Sequence, residues 1–215
     1  MDADVARPRE FDIEAVLEHA TRLFWQRGYA GTSLTEIEAA TGLSRTSIYA
    51  AFDDKEGLFL QVVDHYDRHY SAQLRAALCR APTARAGIDA WFARLLAAFA
   101  DPDLPLGCLV TNVAVEGDRG ESRLGRKIAA SIALGEDAFY ARLRRGQIEG
   151  DVAPEIDARA AARHLVAVTQ GLSVLAKASG QPSVLQDVAR TTLAALRPLL
   201  FREPAAGTLA ASRAG

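Results

Sequence analysis

Residues Thr41–Phe59 read TGLSRTSIYAAFDDKEGLF and place one glycine between two short segments of helical periodicity. The segment before Gly42 begins with SLTE, in which Ser33 and Glu36 have the spacing of a reciprocal capping box at a helix N-terminus. Gly42 then ends that helix after about two turns, as a C-terminal glycine does. Ser44 follows at once as a cap for the next helix. The spacing therefore predicts a helix-turn-helix.

The second helix of this pair has an apolar side and a polar side. Ile48 and Phe52 are four residues apart and should pack inward. Arg45, Thr46 and Tyr49 then point outward. A guanidinium can bind guanine edges or phosphate, a hydroxyl can bind base edges or phosphate, and a phenol suits phosphate. The pattern favours a surface that lies in the major groove of DNA, although an ordinary polar helix face has the same composition.

The charge of this region is unusual for a protein that binds nucleic acid. Residues 1–60 carry six Lys or Arg against eleven Asp or Glu, and the whole chain has a net charge of −2. A nonspecific nucleic-acid binder should be basic. We therefore expect segregated charges, with Arg45 and Lys55 on one face and acids such as Glu10, Asp12 and Glu14 on another. Lys55 also falls in the first turn of the next predicted helix, capped near Asp53, where a phosphate is favoured.

The rest of the chain also favours helices. No proline occurs between residues 9 and 81, and no run of alternating β-branched residues is present in the 215 residues, so we predict an all-α fold. No apolar run reaches the length of a membrane span, and the charged N-terminus does not resemble a secretory signal. The two cysteines, Cys79 and Cys108, have no metal-ligand spacing around them. We expect a cytoplasmic protein with reduced thiols and no metal or other cofactor.

The longer stretch GYAGTSLTEIEAATGLSRTSIYAAFDDKEGLF, residues 28–59, resembles the DNA-binding domain of the tetracycline-repressor (TetR) family of bacterial transcription regulators. The matching pieces are Gly28-Tyr29, Thr32-Ser33, Ile37, Gly42-Leu43-Ser44, Ile48-Tyr49, Phe52, Lys55-Glu56 and Leu58. The resemblance implies an N-terminal three-helix domain with a helix-turn-helix at 1–53, a larger helical ligand-binding and dimerisation domain at 54–203, and a tail at 204–215. It also implies a homodimer, most often a repressor, that binds double-stranded operator DNA and a small-molecule inducer.

The resemblance implies specific DNA contacts on the matching positions. Phosphate contacts fall on Thr32 or Ser33 and on Tyr49 and Lys55, and base or backbone contacts fall on Arg45, Thr46 and Ser47. Three positions depart from the family pattern. Ala51 stands where His or Tyr is common, Thr46 replaces a frequent glycine, and Glu38 replaces a frequent alanine. These departures should alter which bases are read.

In the family, the middle helices enclose a ligand pocket. The candidate lining residues here are Trp91, Phe92, Phe99, Cys108, Asn112, Glu116, Phe139 and His164. Asn112 and Glu116 are the expected polar anchors for a largely apolar inducer. For the aromatic residues and His164, packing in a core is the alternative. The Ala- and Leu-rich faces at 155–178 and 183–200 are the expected dimer interface, or else complete the core of the monomer.

The segment GCLVTN, residues 107–112, is similar to the subgroup that includes the N-ethylmaleimide-sensing repressor. This similarity implies that Cys108 responds to electrophiles, whereas a buried, inert thiol is the alternative.

Two further classes of function remain open. A thiol-dependent hydrolase would use Cys108 with His164, but no glycine-rich oxyanion turn is present, so an enzyme is not expected. An interaction module would use the helix-turn-helix to bind protein, and a gel shift with genomic DNA distinguishes it.

Overall fold

The computed structural model describes residues 12–117 and 121–201, and these ranges are helical almost throughout. Within them no strand is formed, and no helix is long and apolar enough to cross a membrane. The predicted all-α fold is confirmed, while the predicted tail lies outside the described residues. The elements are α1 Ile13–Arg27, α2 Leu34–Thr41, α3 Arg45–Phe52, α4 Lys55–Tyr66, a π-helical turn Asp67–Ser71, α5 Ala72–Arg80, α6 Ala84–Ala100, α7 Leu109–Ala114, α8 Arg123–Glu149, α9 Ala158–Ser179 and α10 Pro182–Leu200.

Side-chain caps fix the ends of α2 and α3. Ser33 and Glu36 form the predicted capping box, and Gly42 closes α2 in the left-handed conformation with φ of 71°. Ser44 caps α3 through the backbone N–H of Ser47. The cap of α4 differs from the prediction, because Asp54 rather than Asp53 accepts from the backbone of that helix. Asp53 instead has a positive φ of 67° and ends α3, so its side chain is not placed to cap α4.

Gly57 sets the distance between the end of α3 and the start of α4. An added Cβ at this position would lie 1.9 Å from the carbonyl oxygen of Phe52. That oxygen belongs to the backbone and cannot move without moving α3. The missing side chain therefore lets α4 pack closely against the end of the helix that carries the predicted DNA contacts.

Replacing Gly57 with alanine should destabilise the protein by about 1–3 kcal/mol, because overpacking forces the backbone apart. Thermal unfolding followed by circular dichroism measures the effect, and Gly135→Ala is the matched control. A Cβ at Gly135 would make only ordinary contact, 3.8 Å from Val166 Cγ2. Equal melting temperatures for the wild type and Gly57→Ala would contradict the close packing of α3 and α4.

Two apolar clusters make up the core. The first joins α1, α2, α3 and α4 and also takes in Leu109, Val110 and Val113 of α7 and Ile128 of α8. The second joins α5, α6, α8, α9 and α10. The division of the chain at 53 and 54 stays a prediction. In the packing, α4 and α7 share their buried residues with the helix-turn-helix region, so movement of either helix acts on α1–α3.

The segment from α4 to α5 runs as one helical path, interrupted by the π-helical turn Asp67–Ser71. In this wider turn the carbonyl oxygen of Asp67 accepts from the backbone N–H of Ala72, five residues later, and also from the guanidinium of Arg75 at 2.8 Å. The carboxylate of Asp67 is buried and accepts from Ser131 Oγ on α8, also at 2.8 Å. This turn therefore links the long helical path to α8.

Candidate DNA-binding surface and ligand cavity

The helix α3 is anchored by two apolar side chains and leaves a polar surface outside. Ile48 and Phe52 are buried in the cluster shared with α1 and α4, as their spacing predicts. Arg45 and Thr46 are exposed, and Tyr49 keeps 43% of its surface exposed. Among the described residues, the guanidinium of Arg45 makes no hydrogen bond or ion pair. The outward face of α3 is therefore free to bind a partner.

The first turn of α3 is held by two side chains from outside the helix. Ser44 Oγ accepts from the backbone N–H of Ser47 at 3.2 Å and lies 2.9 Å from its hydroxyl. Glu38 Oε1 on α2 accepts from the backbone N–H of Arg45 at 2.6 Å. The frequent alanine at position 38 offers no such acceptor. Glu38 thus fixes the angle between α2 and α3 and places a negative charge where a phosphate would otherwise be favoured.

The two phosphate candidates before α2 differ in accessibility. Thr32 is only 1% exposed, and its hydroxyl donates to the carbonyl oxygen of Gly28 at 2.7 Å. Ser33 is exposed and is used in the capping box of α2. Of these two predicted contacts, only the side chain of Ser33 lies at the surface in this structure.

Lys55 lies between the α1–α2 loop and the start of α4. Its ammonium donates to the carbonyl oxygen of Tyr29 at 2.6 Å and lies 4.3 Å from the centre of the Tyr29 ring. Partial burial lowers the pKa of Lys55, while the nearby charge of Glu116 acts in the opposite direction. Lys55 therefore positions the α1–α2 loop in addition to any contact with DNA.

Replacing Lys55 with alanine should weaken binding to operator and to unrelated DNA alike, because a phosphate contact carries no sequence information. The slope of log affinity against log salt should fall by about 1. Fluorescence anisotropy across a salt series measures this slope, with Arg85→Ala on the exposed surface of α6 as the control. If the slope is unchanged and the melting temperature falls, Lys55 stabilises the loop through Tyr29 and does not contact phosphate.

A cavity of about 390 Å³ is lined by residues of α1 and of the helices from α4 to α9. Its wall is mostly apolar and aromatic, with polar groups of α9 at Thr169, Gln170 and Ser173 and further polar or charged side chains at Ser71, Gln73, Arg75, Arg94, Asp101 and Ser131. The Trp91 ring N–H donates to Thr169 Oγ1 at 3.2 Å, and the Thr111 hydroxyl donates to the side-chain carbonyl of Gln170. The lining includes Trp25, Tyr66, Tyr70, Leu74, Trp91, Leu95, Phe99, Leu104, Cys108, Val110, Ile132, Val166, Thr169, Gln170 and Ser173.

The C-terminal end of α1 and the loop after it form a hydrogen-bonded junction with α7 and α9. We define the junction as residues 25–30 together with Gly107, Asn112, Glu116 and Lys177. The Trp25 ring N–H donates to the carbonyl oxygen of Gly107 at 3.2 Å, and Asn112 Nδ2 donates to the carbonyl oxygen of Trp25 at 3.0 Å. The Lys177 ammonium donates to the Gln26 carbonyl oxygen at 2.7 Å. The N–H groups of Tyr29 and Ala30 donate to Glu116 at 2.9 and 2.8 Å.

Two family models match the chain. One, described as bacterial regulatory proteins of the tetR family, matches residues 16–62. The other, described as the tetracyclin repressor-like C-terminal domain, matches residues 82–192, a little over half of the chain. The chain belongs to the TetR family. It is therefore a DNA-binding transcription regulator, as the resemblance of residues 28–59 predicts.

Two curated TetR-type proteins match most of this chain. The HTH-type transcriptional repressor ComR of Escherichia coli K12 is 32% identical over 188 residues, which cover 87% of this chain and 90% of ComR. The uncharacterized HTH-type transcriptional regulator YezE of Bacillus subtilis 168 is 31% identical over 193 residues, which cover 89% of this chain and all of YezE.

Solved TetR-family structures agree with the fold. A cysteine mutant of the regulator CifR, complexed with a 26-bp double-strand operator DNA, superposes with a TM-score of 0.83 at 35% identity, covering 88% of this chain and 99% of CifR. Reduced NemR of E. coli superposes with a TM-score of 0.77 at 21% identity, covering 89% of this chain and 97% of NemR, and shares the fold.

The TetR-family ligand candidates divide into two groups. Trp91, Phe99 and Cys108 lie in the cavity wall, whereas five others lie outside its lining: Phe92, Asn112, Glu116, Phe139 and His164. Phe92 is one position along α6 from Trp91 and therefore turns into the core, and Phe139 is fully buried, with its ring 4.5 Å from the Trp91 ring. His164 is exposed on α9.

Asn112 and Glu116 are the predicted polar anchors of this TetR-family pocket, but their side chains bind the backbone of the junction. The structure instead supplies polar groups from α9, at Thr169, Gln170 and Ser173. Sequence reasoning missed these groups and also Tyr66 and Tyr70. The two tyrosines are four residues apart on the helical path that links the two parts of the chain. Their spacing on one helix face was the sequence signal for an aromatic cavity wall.

Cys108 lies where the cavity meets α7. It is half-buried, occupies the N-cap position of α7, and its Sγ accepts a hydrogen bond from Tyr66 Oη at 3.3 Å. Burial raises the pKa of Tyr66 well above its ordinary value, and Cys108 adds to the shift, so the phenol remains protonated. The hydrolase alternative loses support, because the exposed His164 does not share this cavity with Cys108.

Proposed function

We propose that this chain is a homodimeric repressor that binds a pseudo-palindromic operator through α3 and is released by a small apolar or electrophilic inducer. The observation that carries the proposal is the outward face of α3, where Arg45, Thr46 and Tyr49 are accessible above a buried apolar anchor. The CifR mutant, at 35% identity over most of both chains, is complexed with operator DNA. Two-fold symmetry in such a protein is matched by symmetry in its DNA site.

The proposed dimer interface is formed by α9 and α10. Both helices keep apolar side chains at the surface of the single chain, including Val174 at 43% and Leu199 at 62% exposure. Other apolar side chains on these two helices pack against the core and remain half-buried, at Val168, Leu175, Val188, Leu193 and Leu196. Pairing two copies along these faces gives a four-helix bundle and removes the apolar side chains from water.

The proposed inducer has a largely apolar body with at least one hydrogen-bonding group. The aromatic wall of the cavity suits the body, and Thr169, Gln170 and Ser173 suit the polar group. An inducer releases DNA only if it favours the conformation that does not bind DNA. The route for this effect is the junction, because Gly107 adjoins Cys108 in the cavity wall and accepts from Trp25 of α1.

Selection of genomic fragments on the purified full-length protein, followed by sequencing, tests the proposal. We expect one enriched motif with two-fold symmetry, protected in footprinting on both half-sites. Before DNA is added, light scattering should give a mass twice the 23.1 kDa of one chain. No enriched sequence would favour the protein-interaction alternative, and a monomer in solution would mean that the faces of α9 and α10 serve another purpose.

A further inference from the structure

Three potential metal-binding side chains meet on the side of α4 that faces α1. Glu14 lies in the first turn of α1, His65 lies near the end of α4, and His69 lies in the π-helical turn. One ligand atom from each side chain lies within 4.8 Å of the other two. Among the described residues, this is the group of three His, Cys, Asp or Glu side chains whose ligand atoms come that close together. Sequence analysis did not predict it, because Glu14 is some 50 residues from the two histidines.

The distances within the group are close to those of a tetrahedral metal centre. The same oxygen, Glu14 Oε2, lies 3.5 Å from His65 Nε2 and 3.6 Å from His69 Nε2. Ligand bonds of about 2.0–2.1 Å at tetrahedral angles place neighbouring ligand atoms roughly 3.3 Å apart. Glu14 and His69 are 59% and 52% exposed, so rotation of their side chains can adjust these distances.

The two histidines have the spacing of a helical metal site. They are four residues apart on one helical path, the separation by which two histidines on a helix bind zinc. Their rings are 4.3 Å apart and inclined by 31°, so both Nε2 atoms approach Glu14 from the same side. The π-helical turn Asp67–Ser71 contains His69 and changes its direction relative to a regular helix.

The ring of His65 is buried, and side chains lie close to both of its nitrogens. Its ring is 4% exposed, with Nδ1 3.2 Å from Thr21 Oγ1 and 3.9 Å from Glu18 Oε2. In the tautomer with its proton on Nδ1, His65 directs the lone pair of Nε2 toward Glu14, and metal-binding histidines commonly donate their other ring N–H to a carboxylate in this way.

His65 Nε2 faces a carboxylate oxygen at 3.5 Å, and a cation between these two atoms would be attracted by both. Arg68 lies 3.8 Å from the other oxygen, Glu14 Oε1, and does not lie between the ligand atoms. The exposed side of Glu14 and His69 gives an ion access from solvent and leaves room for a water ligand.

We propose that Glu14, His65 and His69 form a binding site for a divalent late first-row transition ion, represented by Zn²⁺, with water completing the coordination. Two imidazoles and one carboxylate suit Zn²⁺, whereas Mg²⁺ and Ca²⁺ require a shell of oxygen ligands. The bound ion joins the start of α1 to the helical segment whose Tyr66 and Tyr70 line the cavity. Tyr70 also donates to Glu18 at 2.7 Å, beside Nδ1 of His65, so the ion site and the cavity share a wall.

Calorimetric titration of the metal-free, full-length protein with Zn²⁺ tests the site without depending on DNA binding. We expect one ion per chain for the wild type and no heat of binding with Mg²⁺. His69→Ala and Glu14→Gln should each weaken Zn²⁺ at least about tenfold, since even loss of an outer-sphere partner costs that much. Both residues are exposed, so these variants should fold, whereas His65→Ala removes a buried ring. His19→Ala, an exposed histidine on α1, is the matched control and should bind as the wild type does.

Titration with Co²⁺ adds a spectroscopic readout. The proposed nitrogen and oxygen ligands should give visible absorption bands of a four-coordinate ion without a near-ultraviolet thiolate band. Equal Zn²⁺ affinity in the wild type, His69→Ala and Glu14→Gln would overturn the proposal. So would a thiolate band that disappears in Cys79→Ser or Cys108→Ser, because the ion would then be held by a cysteine.

Discussion

Operator affinity should fall by roughly 30-fold to 10⁴-fold when Arg45 is replaced by alanine. One base contact of this type contributes about 1–3 kcal/mol, and the proposed dimer loses it in both half-sites. Arg45 is exposed at the start of α3, and its guanidinium is free of intramolecular partners within the described residues. The melting temperature should therefore stay unchanged. Affinity for unrelated DNA should fall much less, because most of the nonspecific energy comes from phosphates.

Gel shifts with the selected operator and with mutated half-sites measure this effect. The conservative variant Arg45→Lys keeps the charge but loses the planar fork that recognises a guanine edge. If Arg45 reads a base, the lysine variant should lose discrimination at one position of each half-site and keep most of its nonspecific affinity. Unchanged operator affinity in both Arg45→Ala and Lys55→Ala would remove the case for α3 as the reading helix.

Alkylation of Cys108 should release the operator, with a loss of affinity of roughly 5- to 150-fold, the usual range of coupling between two sites. With N-ethylmaleimide, the thiolate sulfur forms a bond to one carbon of the ring double bond. The neighbouring carbon takes up a proton, which balances the proton that the thiol had lost. The new group occupies the cavity of about 390 Å³ whose wall contains Cys108. It also breaks the hydrogen bond from Tyr66 and leaves a buried phenol without its acceptor.

The change reaches α1 through the residue before the cysteine. Gly107 accepts from the Trp25 ring N–H at 3.2 Å, and Trp25 also stacks edge-on against Tyr66 with ring centres 5.0 Å apart. A displaced Cys108 backbone or Tyr66 ring therefore moves the end of α1. Because α1 packs with α3 in one apolar cluster, the spacing of the two α3 helices in the proposed dimer should change.

The controls use the two cysteines separately. Gel shifts with and without the electrophile should be made on the wild type, Cys79→Ser and Cys108→Ser, with mass spectrometry to count the adducts. Cys79 is exposed on α5, so it should react without releasing DNA. If the wild type still holds its operator when Cys108 is fully alkylated, the sensor function fails. If Cys108→Ser still responds, the switch lies elsewhere, and Cys79 is the first residue to consider.

The helix-turn-helix was predictable because its determinants are local. The Ser33–Glu36 box, the left-handed Gly42 and the Ser44 cap each act within about four residues, and all three form as expected. The inward positions of Ile48 and Phe52 follow from helical periodicity alone. The cap of α4 was placed one residue early, since sequence does not reveal that Asp53 adopts a positive φ.

The cavity was only partly predictable because its polar groups depend on tertiary packing. Asn112 and Glu116 have the spacing of one helix face, but their partners are backbone groups some 85 residues earlier, at Trp25, Tyr29 and Ala30. Periodicity identifies which residues share a face and does not identify what that face meets. The same limit hid Gln170, which points into the cavity from a helix that had been assigned to dimerisation.

The junction has a consequence for exchanging DNA-reading modules between regulators. Most of what α7, α9 and the loop after α7 recognise in residues 25–30 is backbone, so many grafted sequences would present the same donors and acceptors. Two side-chain requirements remain. Position 28 must be glycine, since its φ is 79° and a Cβ there would lie 1.9 Å from Glu116 Oε1, and position 25 must offer a ring N–H to Gly107. A chimera that keeps Gly28 and Trp25 should still release DNA when ligand binds in the cavity. A chimera that loses them should bind DNA with an affinity that ligand does not change.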